Sequence, residues 1–379
     1  MGKQGRDSID EPARDESAHH ATQLSDLGEP EGRLRRARAK RPPPTLESQR
    51  PPAAKVIKRP AAKKMKHKRD LRQTFLYETA ALYFKTLSKK QQNQLTATIR
   101  SRRWTIASAC TGTGTAEIAN QCLMKFMEGE QQVQFSCELK HCNQNFLQSI
   151  VEPLLDQDER VCLFQDIGEL AQGVCKCLAH NKDCDVSKLT DIFTCGFSCK
   201  DLSPLSRKFK GTQWAGILSN QWGTTGQTFA GLVEHIRRAM PHIIVLENVS
   251  SLVKADSSNL EYLWMTFDEI GYAGAERLMK SSSFRLPQSR ERVYFVLLNR
   301  NSFGYNSSEA VQKASSMLED ALKLATDMEP LGNFLLPANS ARVLAERERR
   351  TAAARSVKVV PGKTGEKRSD SWVDTHQAT

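Results

Sequence analysis

Residues Trp104 to Lys140 read WTIASACTGTGTAEIANQCLMKFMEGEQQVQFSCELK, and the order of patterns within them decides the fold. A short β-rich run, WTIASA, leads into a turn holding Gly112 and Gly114. A helical stretch over Ala116 to Met127 follows, and a second β-rich run, VQFSCE, ends in Glu138. Strand, glycine turn, helix and strand in that order predict two parallel strands joined by a crossover helix. Four more runs repeat the theme: VCLFQD, DIFTCG, HIIVLEN and RVYFVLL. Helical candidates lie between them at His141 to Leu155, Thr228 to Met240 and Asn259 to Ile270. The expected class is α/β, a mainly parallel sheet with helices on both faces. Such sheets bind ligands beyond the carboxyl ends of their strands, so chemistry is expected just after each run.

Working outward from this core, Thr74 to Arg103 has apolar residues at helical intervals without glycine or proline, which predicts a helix. Beyond Asn301, SSEAVQKASSMLEDALKLATDME predicts an amphipathic helix. The expected organisation is a basic arm over 1–72, a helical element over 73–103, a catalytic domain over 104–300, a helical extension over 301–350 and a disordered polar tail over 351–379. The 379-residue chain carries a net charge of +12. Between Arg33 and Arg72, sixteen Lys or Arg stand against Glu47 and Asp70, a net of +14, so the remainder carries −2. Proline- and alanine-rich, the arm has too few apolar residues to pack and is expected to be disordered. Its KRPAAKKMKHKR resembles a nuclear-import signal, and the same charges attract phosphates. No apolar window is long enough to span a bilayer. All ten cysteines fall between Cys110 and Cys199, without a secretory signal, which predicts reduced thiols in a nuclear or cytosolic protein.

Each strand end offers a candidate group. Gly112 and Gly114 permit close approach of backbone to ligand, although an ordinary tight turn has the same Gly-x-Gly. Glu138 is suited to ribose hydroxyls and Asp166 to the exocyclic amine of adenine, so an adenosine-containing cofactor fits the three ends together. The Walker-type phosphate loop is absent from the sequence. Cys199, in FTCGFSCKDLSPLS, is either an exposed thiol nucleophile or a small buried hydrophobe. After it, SPLSRKFKGTQWAGILSNQWGTTGQ lacks periodicity beyond the usual loop length and reads as a lid, with Arg207, Lys208 and Lys210 facing an anion. Glu247 closes an apolar run, where burial raises a carboxyl pKa and favours proton donation; a helix cap is the alternative. In LPQSRERVYFVLL, Gln288, Arg290 and Arg292 gather before the last run, and alternation puts both arginines on one face. In CKCLAHNKDC, Cys175, Cys177, His180 and Cys184 have metal-ligand chemistry at a spacing unlike standard zinc motifs, so an insertion with ordinary thiols, and no metal, is expected.

The order GTG, Glu138, Asp166, GFSC, ENV and QSRER resembles the cytosine-5 DNA methyltransferase family over about Thr105 to Asn299. The resemblance implies a Rossmann-like domain that transfers a methyl group from S-adenosylmethionine to carbon 5 of cytosine. Cys110, Gly112, Thr113 and Gly114 would line the methionine side, Glu138 the ribose and Asp166 the adenine, with Thr111, Leu139, Ile167 and Ser198 beside them. Cys199 would add to carbon 6, Glu247 would serve ring nitrogen 3, Arg292 the ring carbonyl, and Arg290 the loop. Arg207, Lys208, Lys210 and Gln288 would contact nucleic acid. Where the family has Pro-Cys-Gln, this chain has Ser198-Cys199-Lys200, which predicts a looser turn and a thiol pKa lowered by Lys200. Cys110 and Thr115 replace the usual aromatic residue and final glycine of the first motif. About eighty residues follow Asn299, which leaves no room for the family's target-recognition domain and points to a partner protein for that task. A non-catalytic nucleic-acid or partner-binding role and an RNA cytosine-5 methyltransferase are the alternatives.

Overall fold

The fold is described from a computed structural model over residues 75–155, 157–186, 190–203, 215–255 and 257–356. The basic arm, the charged part of the expected lid with Arg207, Lys208 and Lys210, and the polar tail lie outside the described residues.

Among the described residues, two helices precede the sheet, α1 (Phe75–Thr86) and α2 (Lys89–Arg100), where the sequence pattern predicts one over Thr74 to Arg103. The break has a local cause. Ser88 caps α2, its Oγ accepting from the Gln91 backbone N–H while the Gln91 side chain accepts from the Ser88 N–H at 2.9 Å. This reciprocal capping box satisfies two N–H groups that a helix start leaves unpaired.

Next come β1 (Arg103–Ala109), α3 (Thr115–Met127), β2 (Glu130–Cys137), α4 (His141–Phe146) and β3 (Cys162–Phe164). The helix expected over His141 to Leu155 is α4 followed by a π-helical turn, Leu147–Val151, and a 3₁₀ turn, Glu152–Leu154. A hairpin of β4 (Val174–Cys177) and β5 (Lys182–Asp185) intervenes before β6 (Ile192–Cys195). Then follow α5 (Gly223–Ala239), β7 (Ile243–Val249), α6 (Ser251–Lys254), α7 (Ser257–Ile270), β8 (Tyr272–Lys280) and β9 (Glu291–Asn299). Last are α8 (Arg300–Phe303), α9 (Ser307–Leu322) and α10 (Ala341–Ser356).

Among the described residues, seven strands form one sheet in the order β3-β2-β1-β6-β7-β9-β8. β3, β2, β1, β6 and β7 run parallel, and β9 is antiparallel to both neighbours. The expected α/β class is therefore observed, with β8 and the β4–β5 hairpin added to the six predicted strands. β8, YAGAERLMK, lacks a continuous apolar run because it is the edge strand. Its Gly274 lies so near β9 that a Cβ would sit 2.0 Å from the Val296 carbonyl oxygen.

One core runs beneath most of the sheet, with Phe135, Phe164, Phe193, Phe229, Phe267 and Phe295 almost wholly buried. Burying a side chain of this size contributes about 1.5–3 kcal/mol. A second cluster lies where α9 covers β8 and β9 through Ala310, Ala314 and Leu318, spaced every four residues. That spacing is the single stripe expected of an amphipathic helix. At the amino-terminal edge, buried Asp191 joins three strands. It accepts from the Thr105 backbone and hydroxyl at 2.8 Å each, from Arg102 at 2.6 and 2.8 Å, and lies 3.3 Å from His242 Nδ1.

Fully buried His235 on α5 packs between Phe135 and Phe193, with ring centroids 5.6 and 5.0 Å away. Burial, with the Arg238 charge adding to it, lowers its pKa to about 4. An unfolded histidine titrates near 6.5, so the unfolded chain binds the extra proton first as pH falls. This contribution is fully present above about pH 6.5 and is lost as pH falls towards 4, a change of about 3 kcal/mol. We expect denaturant melts to show that decline in the wild type and a flatter profile in His235→Leu. The same decline in both proteins would contradict the assignment.

Candidate active site

The sheet order brings together side chains that are far apart in sequence. β1, β6 and β7 are parallel neighbours, so their carboxyl ends share one edge. β9 is antiparallel to β7, and its entrance therefore lies beside the β7 exit, with Arg292 paired to Val249 and Tyr294 to Glu247. This geometry makes Arg292 meet Glu247. Arg292 Nε is 2.9 Å from Glu247 Oε1, and Arg290 Nη2 is 3.7 Å from the same oxygen. The carboxylate keeps 31% side-chain exposure, so Glu247 is a partly open, doubly paired acid. It is neither the isolated buried acid expected from its apolar run nor a helix cap.

Cys199 sits in the loop after β6, half-buried, and feels this cluster directly. Burial pushes its thiol pKa up, the Glu247 charge pushes it further, and Arg292 and Arg290 pull it down. The expected lowering by Lys200 is not seen; the charges that lower this pKa come from β9 and the residue just before it. Gly196 permits the approach of Glu247, since a Cβ there would lie 3.3 Å from Glu247 Oε2.

The turn around Ser198 and Cys199 is held from other elements. Buried Asn248 donates to the Phe197 carbonyl at 3.1 Å, and the Ser251 hydroxyl donates to the Leu202 carbonyl. Asp201 N–H donates to Thr225 Oγ1 at 2.9 Å, and Thr225 N–H donates to Asp201 Oδ2 at 2.8 Å. Each such bond contributes about 0.5–1.5 kcal/mol net, and leaving a buried partner unpaired costs more. Four groups from β7, α6 and α5 thus fix the loop that carries Cys199. Ser198 adds a local contact, its Oγ accepting from the Lys200 N–H at 3.5 Å.

At the β1 end, Cys110, Gly112 and Gly114 all have positive φ, of 50°, 62° and 72°. Gly114 packs tightly, as a Cβ would come within 2.9 Å of Leu147 and Val151. Gly112 faces open space, with nothing within 4 Å of a Cβ position. Buried Glu138 organises this loop by accepting from the Gly112 N–H and the Lys140 N–H, each at 2.8 Å. Thr111 ties the loop to β2, its N–H donating to the Cys137 carbonyl at 3.1 Å. Thr113 Oγ1 lies 3.5 Å from Thr115 Oγ1. Leu139 is 60% exposed at the end of β2. After β3, Asp166 is exposed and caps a short 3₁₀ turn by accepting from Gly168 N–H at 2.9 Å, while Ile167 is buried in the core.

A cleft joins the carboxyl ends of β1, β6 and β7, lined by Cys110, Thr111, Gly196, Glu247 and Tyr294 among others. Buried Glu117 on α3 also lines it. Burial raises the Glu117 pKa, and its Oε1 accepts from the Ser108 and Ser136 hydroxyls. Gln288 lies in the loop before β9, its N–H donating to the Leu286 carbonyl at 2.7 Å. The cysteines of the β4–β5 hairpin stand apart from this cleft. Cys177, His180 and Cys184 gather there with Cys162, whereas Cys175 turns to the Glu169 carbonyl.

Sequence reasoning singled out Cys199, Glu247, Arg290 and Arg292, and the fold brings their charges together. It missed Asn248, Ser251, Asp201, Thr225 and Glu117. Asn248 stood within the quoted ENV, but its partner lies 51 residues away, and no local pattern announces that pairing.

The fold and cleft define an α/β protein with a thiol, an acid and two guanidinium groups at one end of a mainly parallel sheet. The sequence pattern of C-5 cytosine-specific DNA methylases matches residues 171–374, more than half of the chain and inclusive of these four residues. The chain belongs to that family. It is similar to the DNA (cytosine-5-)-methyltransferase DMT5 of Cryptococcus neoformans var. grubii, 26% identical over 233 residues, covering 60% of this chain and 9% of the relative. It is also similar to the type II methyltransferase M.HhaI of Haemophilus parahaemolyticus, 28% identical over 28% of this chain and 30% of the relative. The chain spans only a minor part of the length of these relatives. The crystal structure of the S. pombe Dnmt2 methyltransferase aligns at 14% identity and TM-score 0.33, over 52% of this chain and 50% of its own.

The opposing charges around Cys199 set the sign of two substitutions. Glu247→Gln removes the negative charge that raises the thiol pKa, and Arg292→Leu removes a positive charge that lowers it. Peptide-resolved alkylation against pH is expected to shift the Cys199 midpoint down in the first variant and up in the second. Shifts of equal sign would contradict this electrostatic picture.

Proposed function

We propose that the chain methylates carbon 5 of cytosine in DNA, with Cys199 as the nucleophile and S-adenosylmethionine as the methyl donor. The observation that carries this reading is the pairing of Glu247 with Arg290 and Arg292, whose charges act on Cys199, beside a cleft that Glu247 shares with Cys110 and Thr111 of the Gly112 loop. The open space at Gly112, the Glu138 carboxylate holding the loop and exposed Leu139 fit an adenosine-type cofactor. Cys110, Thr111, Gly112, Thr113, Gly114, Glu138, Leu139, Asp166, Ile167 and Ser198 would hold it. When bound, S-adenosylmethionine supplies an electrophilic methyl group.

In this proposal the target base leaves its stack and enters the cleft. The Cys199 sulfur forms a bond to ring carbon 6, and the electron pair displaced from the 5,6 double bond makes carbon 5 nucleophilic. The proton that Cys199 loses balances the one that ring nitrogen 3 gains, and Glu247 is assigned as its carrier. Arg292 orients Glu247 and serves the ring carbonyl, and Arg290 supports the same carboxylate. A thiol held protonated by burial and by Glu247 stays unreactive until a base takes up the proton, which limits off-target alkylation. Loop rigidity, which the family's proline would have given, comes here from Asn248, Ser251 and the Asp201–Thr225 pair. The basic arm, Arg207, Lys208, Lys210 and Gln288 are assigned to phosphate contacts, with sequence readout from a partner protein. KRPAAKKMKHKR directs the chain to the nucleus, a compartment in keeping with a DNA substrate.

Duplex DNA containing 5-fluorocytosine, with S-adenosylmethionine, should give a denaturation-resistant adduct with the wild type and none with Cys199→Ser. Glu247→Gln should slow trapping by about 10²–10⁴-fold. No wild-type adduct, together with no heat of S-adenosylmethionine binding by calorimetry, would move the chain to a non-catalytic binding role. Stronger trapping on a matching RNA would move the substrate to RNA.

A further inference from the structure

We propose that Cys162, Cys177, His180 and Cys184 form a structural zinc site that fastens the β4–β5 hairpin to β3. The ligand atoms of these four side chains all lie within 4.8 Å of one another. His180 Nδ1 is 3.5 Å from Cys162 Sγ, 3.3 Å from Cys177 Sγ and 3.6 Å from Cys184 Sγ. Hydrogen bonding does not explain three such contacts, since a ring nitrogen has one lone pair or one proton to share. A central ion does. With Zn–S near 2.3 Å and Zn–N near 2.0–2.1 Å, the N···S edge of a tetrahedron is about 3.6 Å, close to all three separations.

The chain supports these ligands as a metal site requires. Cys177 ends β4 and Cys184 lies in β5; the register pairs Cys184 with Cys175 and Cys177 with Lys182, so Cys177 and Cys184 are diagonal neighbours on one face of the hairpin, and Asn181, at φ 54°, turns the chain between His180 and Cys184. Cys162 arrives from the start of β3. The Leu163 N–H donates to Cys177 Sγ at 3.4 Å, the kind of outer bond that steadies a thiolate ligand. The Leu178 N–H donates to the Leu163 carbonyl at 2.8 Å, and Arg160 donates to the Ala179 carbonyl at 2.5 Å. Binding releases three thiol protons, and the complex carries a net charge of −1. Four protein ligands leave no open position, so the ion has a structural rather than a catalytic role. Cys175, although in the same hairpin, is outside the set because its thiol donates to the Glu169 carbonyl at 3.0 Å.

The test uses the full untagged chain, purified under reducing conditions with zinc in the growth medium. Elemental analysis should find about one zinc per chain. Cys177→Ala and Cys162→Ala should each lose it by about tenfold, while Cys175→Ala keeps it. As a check that does not need a folded variant, Co²⁺ exchanged into the wild type should show tetrahedral bands with a thiolate-to-cobalt charge-transfer band. Negligible zinc in the wild type, an octahedral cobalt spectrum, or loss of zinc in Cys175→Ala alone would overturn the site. A Cys162–Cys177 disulfide found by peptide mapping of the same sample would overturn it too. Zinc content does not depend on methyl transfer, so failure here leaves the methyltransferase reading standing.

Discussion

The antiparallel pairing of β9 with β7, inside an otherwise parallel run, is the constraint on which the site depends. A parallel β9 would deliver Arg290 and Arg292 to the opposite edge of the sheet, away from Glu247. Pairing Arg292 with Val249 instead sets both guanidinium groups on Glu247, two residues before the end of β7. Parallel β1 and β6 bring the Gly112 loop and the Cys199 loop to the same edge. Chemistry that needs a nucleophile, an acid and a cofactor within one cleft follows from strand direction first and from residue choice second.

Residue choice then adjusts reactivity. A lone thiol at this depth would stay protonated, because burial disfavours the thiolate. Arg290 and Arg292 counter that effect while also neutralising Glu247, so one pair of cations serves two opposed groups. The loop around Cys199 gains its rigidity from distant partners, with Asn248 and Ser251 reaching back from the end of β7 and the start of α6. Hydrogen bonds from other elements thus hold this turn, and their loss would be felt at Cys199 rather than across the fold.

Much of this was legible in the sequence. Strands buried on both faces, such as HIIVLEN and RVYFVLL, leave continuous apolar runs, and groups at their ends can be read directly. β8 was not legible, because an edge strand that carries Gly274, Glu276 and Arg277 has no apolar continuity. The split between α1 and α2 is carried by Ser88 and Gln91, a capping box inside a stretch that otherwise has helical periodicity throughout. Among the hairpin thiols, local spacing grouped Cys175 with its neighbours, whereas the tertiary cluster takes Cys162 from β3 instead. Alternation along β4 does not separate Cys175 from Cys177, which share its buried face; the exchange follows from tertiary contacts, Cys175 donating to the Glu169 carbonyl while Cys162 reaches His180. Glu247 shows the same limit, as its strand announced burial but its ion pairs come from another strand.

Exchange at carbon 5 tests the central claim most directly, because addition of Cys199 to carbon 6 loosens the hydrogen on carbon 5 whether or not a methyl group follows. DNA carrying tritium at cytosine carbon 5 is incubated with the chain, and the tritium released to water is counted. The account predicts release by the wild type, loss of release in Cys199→Ser and strong slowing in Glu247→Gln. Release that persists unchanged in Cys199→Ser would contradict it.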